Sequence, residues 1–334
     1  MDKLHQGGNL SRLIGAIKSK HPAVYLGMLL RALGPFTRLL DQVLYRALSS
    51  NQIKKDKLPP CLMIVSPPRS GSTITYQVLV RVIPSVYISN LHYIFPNRAS
   101  SYMVNKDLFR PHIYNFRNYY GYTSSIYDVN EGNEIVEAFF RDKATTEQIR
   151  ERFIEFVAAM NATQDRPLIF KNVRAYNHIA LLSSAVPEVV FLRIRRNPEQ
   201  AIQSTLRAYH ELGTFHPVPD NLKNTKINDP VEFAVKQYLE IERQIDLQRE
   251  QMKSSAWIEW QYEDFCFKTW SMIEDLAQNY LHMDADQLYK NDVPILKASN
   301  RKKINNDEAM RISILLKQML KINHKSDLAL NRKY

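Results

Sequence analysis

Apolar residues run unbroken from Cys61 to Val65 between flanking prolines, the pattern of a short strand buried on both faces. Polar positions then interrupt the run until, over residues 74–82, apolar residues return at helical spacing, so the chain reads strand, tight loop, helix. The alternation recurs. Residues 86–89 read as a second strand, 145–159 as a helix, 167–171 as a strand, 179–185 as a helix and 187–194 as a strand. A long amphipathic helix over 229–252, a last strand over 256–261, a helix over 270–281 and another starting near Asp307 complete the series. Strands alternating with helices predict an α/β protein with a central parallel sheet.

Two segments depart from this pattern. Residues 1–57 mix basic and apolar residues at helical spacing (Leu10, Leu13, Ile14, Ile17, then Leu26, Leu29, Leu30, Leu33). They read as an amphipathic helical N-terminal extension that packs on the main domain or lies on an acidic membrane surface, joined by a linker over 51–60. The main domain spans 58–334. Within it, periodicity dissolves over about 97–142 into aromatic and polar residues, among them Tyr114, Phe116, Tyr119, Tyr120, Tyr122 and Tyr127, as expected of an insertion that covers a site.

A chain of 334 residues, 45% hydrophobic, buries a substantial core. Its formal charge of +11 points to an anionic partner. Cys61 and Cys266 are the only cysteines, and with no H-x-x-x-H or C-x-x-C spacing no disulfide scaffold and no metal site are expected. The longest N-terminal apolar stretch, 23–30, falls short of the roughly twenty residues that span a bilayer. The expectation is a cytoplasmic protein, at most peripheral to the inner face of a membrane.

The loop after the first strand has the chemistry of an anion trap. The first turn of a helix carries amides without intrahelical partners and partial positive charge, so a phosphate docks there. Gly71 lets the backbone approach, Ser70, Ser72, Thr73 and Thr75 offer hydroxyls, and Arg69 adds a fixed charge. Neither G-x-x-x-x-G-K-[ST] nor G-x-G-x-x-G occurs, which disfavours ATP hydrolysis.

Pro68 to Thr73 resembles the 5′-phosphosulfate loop, P-[KR]-[ST]-G-[ST]-[ST], of sulfotransferases that use 3′-phosphoadenosine 5′-phosphosulfate (PAPS). A second segment resembles the family's 3′-phosphate site, in which an Arg closes a strand and a Ser follows eight residues later on the next helix; Arg196 and Ser204 have that separation. The helix start between them is specified independently, by Asn197 as N-cap and Pro198 at the first helical position. The resemblance covers roughly residues 58–305 and implies a three-layer α/β/α, P-loop-like sulfotransferase architecture. It implies donor contacts from Arg69, Ser70, Gly71, Ser72, Thr73, Ile74, Arg196 and Ser204, with Tyr262 of a Y-E-D-[LFM] segment near the adenine. Arg301 and Lys302 stand where relatives carry an R-K-G triplet, although Lys303 replaces the Gly.

The implied activity is sulfuryl transfer from PAPS to a hydroxyl acceptor, a carbohydrate or glycolipid in view of the aromatic insertion, with PAP (3′-phosphoadenosine 5′-phosphate) as product and no metal. Arg69 and Lys171, which closes its strand at the carboxyl edge, are expected to stabilise charge. Relatives with a similar loop carry a Gly-Glu pair after the second strand where this chain reads Ser89, Asn90, Leu91, His92. His92 is therefore the expected base, with Glu131 and Glu134 as alternatives. An atypical kinase of a nucleoside or small molecule is the competing class. RNA-binding aromatic signatures are absent, and no nucleic-acid partner is expected.

Overall fold

A computed structural model describes residues 21–48, 58–95, 116, 118–123, 125–160, 162–253, 255–298 and 304–330. A long helix, α1 (Pro22–Leu48), leads to strand β1 (Cys61–Val65) and helix α2 (Ser72–Val82). The strands β2 (Val86–Tyr87), β3 (Asn118–Tyr119) and β4 (Tyr122–Thr123) follow, then helices α3 (Asn133–Glu137) and α4 (Thr146–Met160). Next come β5 (Leu168–Lys171), α5 (Ile179–Ala185), β6 (Val189–Arg195), α6 (Pro198–Leu212) and α7 (Pro230–Glu250). The chain continues through β7 (Trp257–Gln261), α8 (Tyr262–Phe267), α9 (Thr269–Tyr280) and α10 (Asn306–Leu330).

Five strands form one sheet in the order β2-β5-β1-β6-β7, and every pairing in it is parallel. β1 is central and buried along its whole length, which is why it carries no polar alternation. Its residues alternate between two cores. Cys61, Met63 and Val65 face a layer with Phe153 and Val157 of α4, Leu182 of α5 and Ile241 of α7, whereas Leu62 and Ile64 face Val78 and Leu79 of α2 and Ile273 of α9. The expected α/β/α layering is thus present, and a third cluster joins α6, α7 and α10.

Local signals set the element ends. Asn197 accepts from the Gln200 amide at 3.2 Å and starts α6, and Asp229 accepts from the Val231 amide at 3.0 Å and starts α7. One tertiary feature had no sequence signal. Arg193, fully buried in β6, pairs with Glu242 and, at 2.5 Å, with Asp246 of α7, so that a charge inside the sheet is matched rather than stranded.

Candidate functional site

The site grows from sheet register. Ile64 pairs with Lys171 and Val65 with Arg193, so β1, β5 and β6 end at one edge, and whatever follows each strand is delivered there. After β1 the chain must turn within a few residues into α2. Arg69 does so at φ 68 and Gly71 at φ 90, and Gly71 caps α2 without any side-chain bond to its amides. The amides of the first turn therefore face out of the helix without a protein cap. Ser70 is fully buried, and its hydroxyl finds no partner among the described residues.

The two segments that resemble donor-binding motifs are in direct contact. Arg69 Nε donates to Ser204 Oγ at 3.1 Å, and Arg196 Nη1 donates to the Arg69 carbonyl at 3.1 Å. Tyr262, at the start of α8, lies against Gly71, while the Arg196 guanidinium sits 5.1 Å from the centre of its ring. Burial, with Arg196 beside it, lowers the Arg69 pKa to about 10, which leaves it charged at neutral pH. Lys171, only 2% exposed, donates to Thr73 Oγ1 at 3.1 Å and to Glu131 Oε1 at 2.5 Å. All of these groups except Ser204 line an open pocket of about 820 Å³ that also reaches Ser72, Ile74, Asn118, Tyr120 and His216.

A second open pocket, of about 1010 Å³, adjoins the first and shares Arg69, Tyr120, Glu131 and His216 with it. Its far walls come from Ala23 and Gly27 of α1 and from Thr205 and Leu212 of α6. Amides and aromatic rings alternate around it: Asn90, Asn130 and Asn133 stand with Tyr93, Tyr122 and Phe215. Asn130 donates to Asn90 Oδ1 at 2.7 Å and Asn90 to Thr123 Oγ1 at 2.7 Å, which fixes that polar wall.

The structure thus brings Arg69, Gly71, Ser72, Thr73, Ile74, Lys171, Arg196 and Tyr262 together in the wall of the first pocket, whereas Ser70 and Ser204 are buried beside them and line neither pocket. Arg301 and Lys302 lie outside the described residues. His92 is not brought to the site. Instead of continuing β2, the chain makes a short turn over Asn90–Tyr93 in which His92 Nδ1 accepts the Ser89 amide at 3.0 Å. His92 lines neither pocket, and burial lowers its pKa to about 4. The alternative carboxylates separate: Glu131 lies at the junction of the two pockets, whereas Glu134 is exposed on α3 and lines neither. His216 and Asn118 were not singled out by sequence. The tight β3–β4 turn, with Gly121 at φ 94, was the one local signal for Asn118 and Tyr120, and His216 had none.

The matching solved structures include the sulfotransferase STF1 from Mycobacterium tuberculosis H37Rv, with 10% identity, a TM-score of 0.51 and coverage of 83% of this chain and 81% of that one. The sulfotransferase STF9 from Mycobacterium avium is 13% identical, with a TM-score of 0.45 and coverage of 78% and 69%. At such identity the STF1 likeness bears on the fold alone. No curated protein matches the chain in sequence. The family model described as "Sulfotransferase family" matches residues 60–284, well over half of the sequence, and the chain therefore belongs to the sulfotransferase family.

Proposed function

We propose that the protein transfers a sulfuryl group from PAPS to a hydroxyl of a carbohydrate or glycolipid, with Glu131 as general base. The observation that carries this reading is the pair of contacts joining Arg69 to Ser204 and Arg196 to the Arg69 carbonyl. They join two cation-bearing segments, distant in sequence, in the wall of one pocket. The residues suit such a donor: an uncapped helix start, and three cations against the single carboxylate of Glu131 among the described residues of the pocket wall.

In this reading the first-turn amides with Ser72 and Thr73 hold the 5′ end, Arg196 and Ser204 hold the 3′-phosphate, and Tyr262 flanks the adenine. When bound, PAPS supplies a sulfur that bonds to the acceptor oxygen as its S–O bond to the 5′-phosphate breaks. Arg69 and Lys171 stabilise the negative charge left on the phosphate side. Glu131 takes the acceptor proton, and its ion pair with Lys171 fixes the carboxylate at the junction of the two pockets. Asn90, Asn130 and Asn133 beside Tyr93 and Tyr122 suit the hydroxyls and apolar faces of a sugar.

Calorimetry with PAP and ADP tests the donor. PAP is expected to bind about a hundredfold more tightly, and Arg196→Gln to remove most of that preference, because charge-assisted hydrogen bonds to the 3′-phosphate are lost. Equal affinities would end the proposal. For the base, Glu131→Gln should lower kcat by about a hundredfold or more at unchanged PAP affinity, while His92→Ala retains near-native turnover. The reverse pattern would restore the histidine.

A further inference from the structure

Helix α1 turns most of its large apolar residues outward and its glycine and threonine contacts inward. On the inner side Ala23, Val24 and Leu30 are buried. A Cβ at Gly34 would come within 2.6 Å of the Tyr93 carbonyl oxygen, and Thr37 donates its hydroxyl to the Ile94 carbonyl. On the outer side stand Tyr25, Leu29, Leu33, Phe36, Leu40 and Val43, three or four residues apart and so on one face, with Leu39 beside them. Phe36 is 83% exposed, Leu39 76% and Val43 63%. A surface helix normally turns its large apolar residues to the core, and a contiguous strip of this kind marks an interaction surface.

Charge selects the occupant. Residues 1–57 contain ten Lys and Arg against three Asp, and the one acid within α1, Asp41, is fully buried. An apolar strip within a strongly basic segment complements an anionic bilayer surface. A second copy of the chain would instead bring two such basic segments together, which like-charge repulsion opposes. Among the described residues no helix is long and apolar enough to cross a membrane, so contact through α1 is contact along its side. The opposite side of the same helix supplies Ala23 and Gly27 to the second pocket.

We infer that the outer face of α1 docks on an anionic bilayer and holds the second pocket at the membrane surface, where a hydroxyl carried by a lipid headgroup enters it. The docking stands on the exposed face of α1 and the charge of residues 1–57; the lipid-borne acceptor rests on the sulfuryl-transfer reading above.

The test uses the full chain and a Phe36→Glu/Leu39→Glu/Val43→Glu variant, whose changed positions line neither pocket. Sedimentation with phosphatidylcholine vesicles containing about one third phosphatidylserine should capture the native chain, less so at high salt or with phosphatidylcholine alone. The variant should partition about tenfold less or worse, since three apolar contacts are lost, with PAP affinity unchanged as proof of folding. Equal capture of both proteins, or capture of neither, overturns the docking; so does a native dimer, seen by ultracentrifugation, that the variant fails to form. Transfer of radiolabelled sulfate from PAPS is then compared on a vesicle-borne glycolipid and on its free headgroup glycan. The native chain should exceed the variant on vesicles and equal it on the free glycan. Vesicle binding with label on neither acceptor overturns the transfer reading and leaves the docking standing. Label on the free glycan without vesicle binding overturns the docking and leaves transfer standing.

Discussion

Replacing Gly71 by alanine probes the closest approach in the site, that of the α2 start to Tyr262. Gly71 sits at φ 90, where an L-residue is disfavoured by about 1–2 kcal/mol. The added Cβ would stand 2.7 Å from Tyr262 Cγ and nearer still to two further ring atoms. Because Cγ is the root of the ring, rotating the ring does not clear the contact; the whole side chain must move. Tyr262 is buried at the head of α8, so that movement disturbs packing, an overpacking cost of about 1–3 kcal/mol. The two contributions together predict a loss of about 2–5 kcal/mol in urea unfolding. A double-mutant cycle separates them. In a Tyr262→Ala background the steric part disappears, and Gly71→Ala should cost only the backbone part. A coupling energy indistinguishable from zero, below about 0.5 kcal/mol, would show that the ring does not lie over the loop and would remove the basis for placing Tyr262 beside bound adenine.

Two buried groups give opposite pH signatures. Burial raises the Asp128 pKa from 3.8 to about 6, although Gln77 and the Val129 amide both donate to its carboxylate. The proton it keeps on folding favours the native state at low pH, and this contribution is lost as pH rises through 6. The stability difference between the native chain and Asp128→Asn should therefore shift against the native chain from about pH 4 to 6 in urea titrations. His92, lowered to about 4 from 6.5, has the other sign: its contribution is complete above 6.5 and is lost as pH falls towards 4, so His92→Gln should be the less acid-sensitive protein in that window. Near its centre the site holds Arg69, Lys171 and Arg196 with Glu131. PAP at about a hundred times its Kd should stabilise the fold by about 2.7 kcal/mol. In a thermal melt, inorganic sulfate at equal ionic strength should give a smaller rise, and an equal rise would mean that the pocket does not read the 3′-phosphate.

Much of the first pocket's framework was legible because it depends on local chain geometry. The run at Cys61–Val65, the turn through Gly71, and Asn197 with Pro198 each specify a strand, a tight loop or a helix start without reference to the rest of the molecule. The parallel sheet then aligns the strand ends, and Lys171 follows from its register with Ile64. Side-chain direction beyond the strands was not legible in this way. Position alone sends His92 to the carboxyl edge, yet the turn after β2 closes on the Ser89 amide and takes the imidazole inward. Glu131 reaches the site because Val129 bridges to Ser89 and the Asn130 amide donates to the Ile88 carbonyl, ties between segments about forty residues apart.

The same distinction explains α1. Helical periodicity tells which residues share a face but not which face meets the body, and α1 is apolar on both sides. What decides is size: close approach to Tyr93 and Ile94 requires Gly34 and Thr37, so the small side goes inward and the bulk of the apolar surface is left outside. Phe36, Leu39 and Val43 are mostly exposed, so the helix loses little packing when they change. Substitutions at Phe36, Leu39 and Val43 therefore test what the outer face does, and substitutions at Gly34 test whether α1 stays in place as a wall of the second pocket.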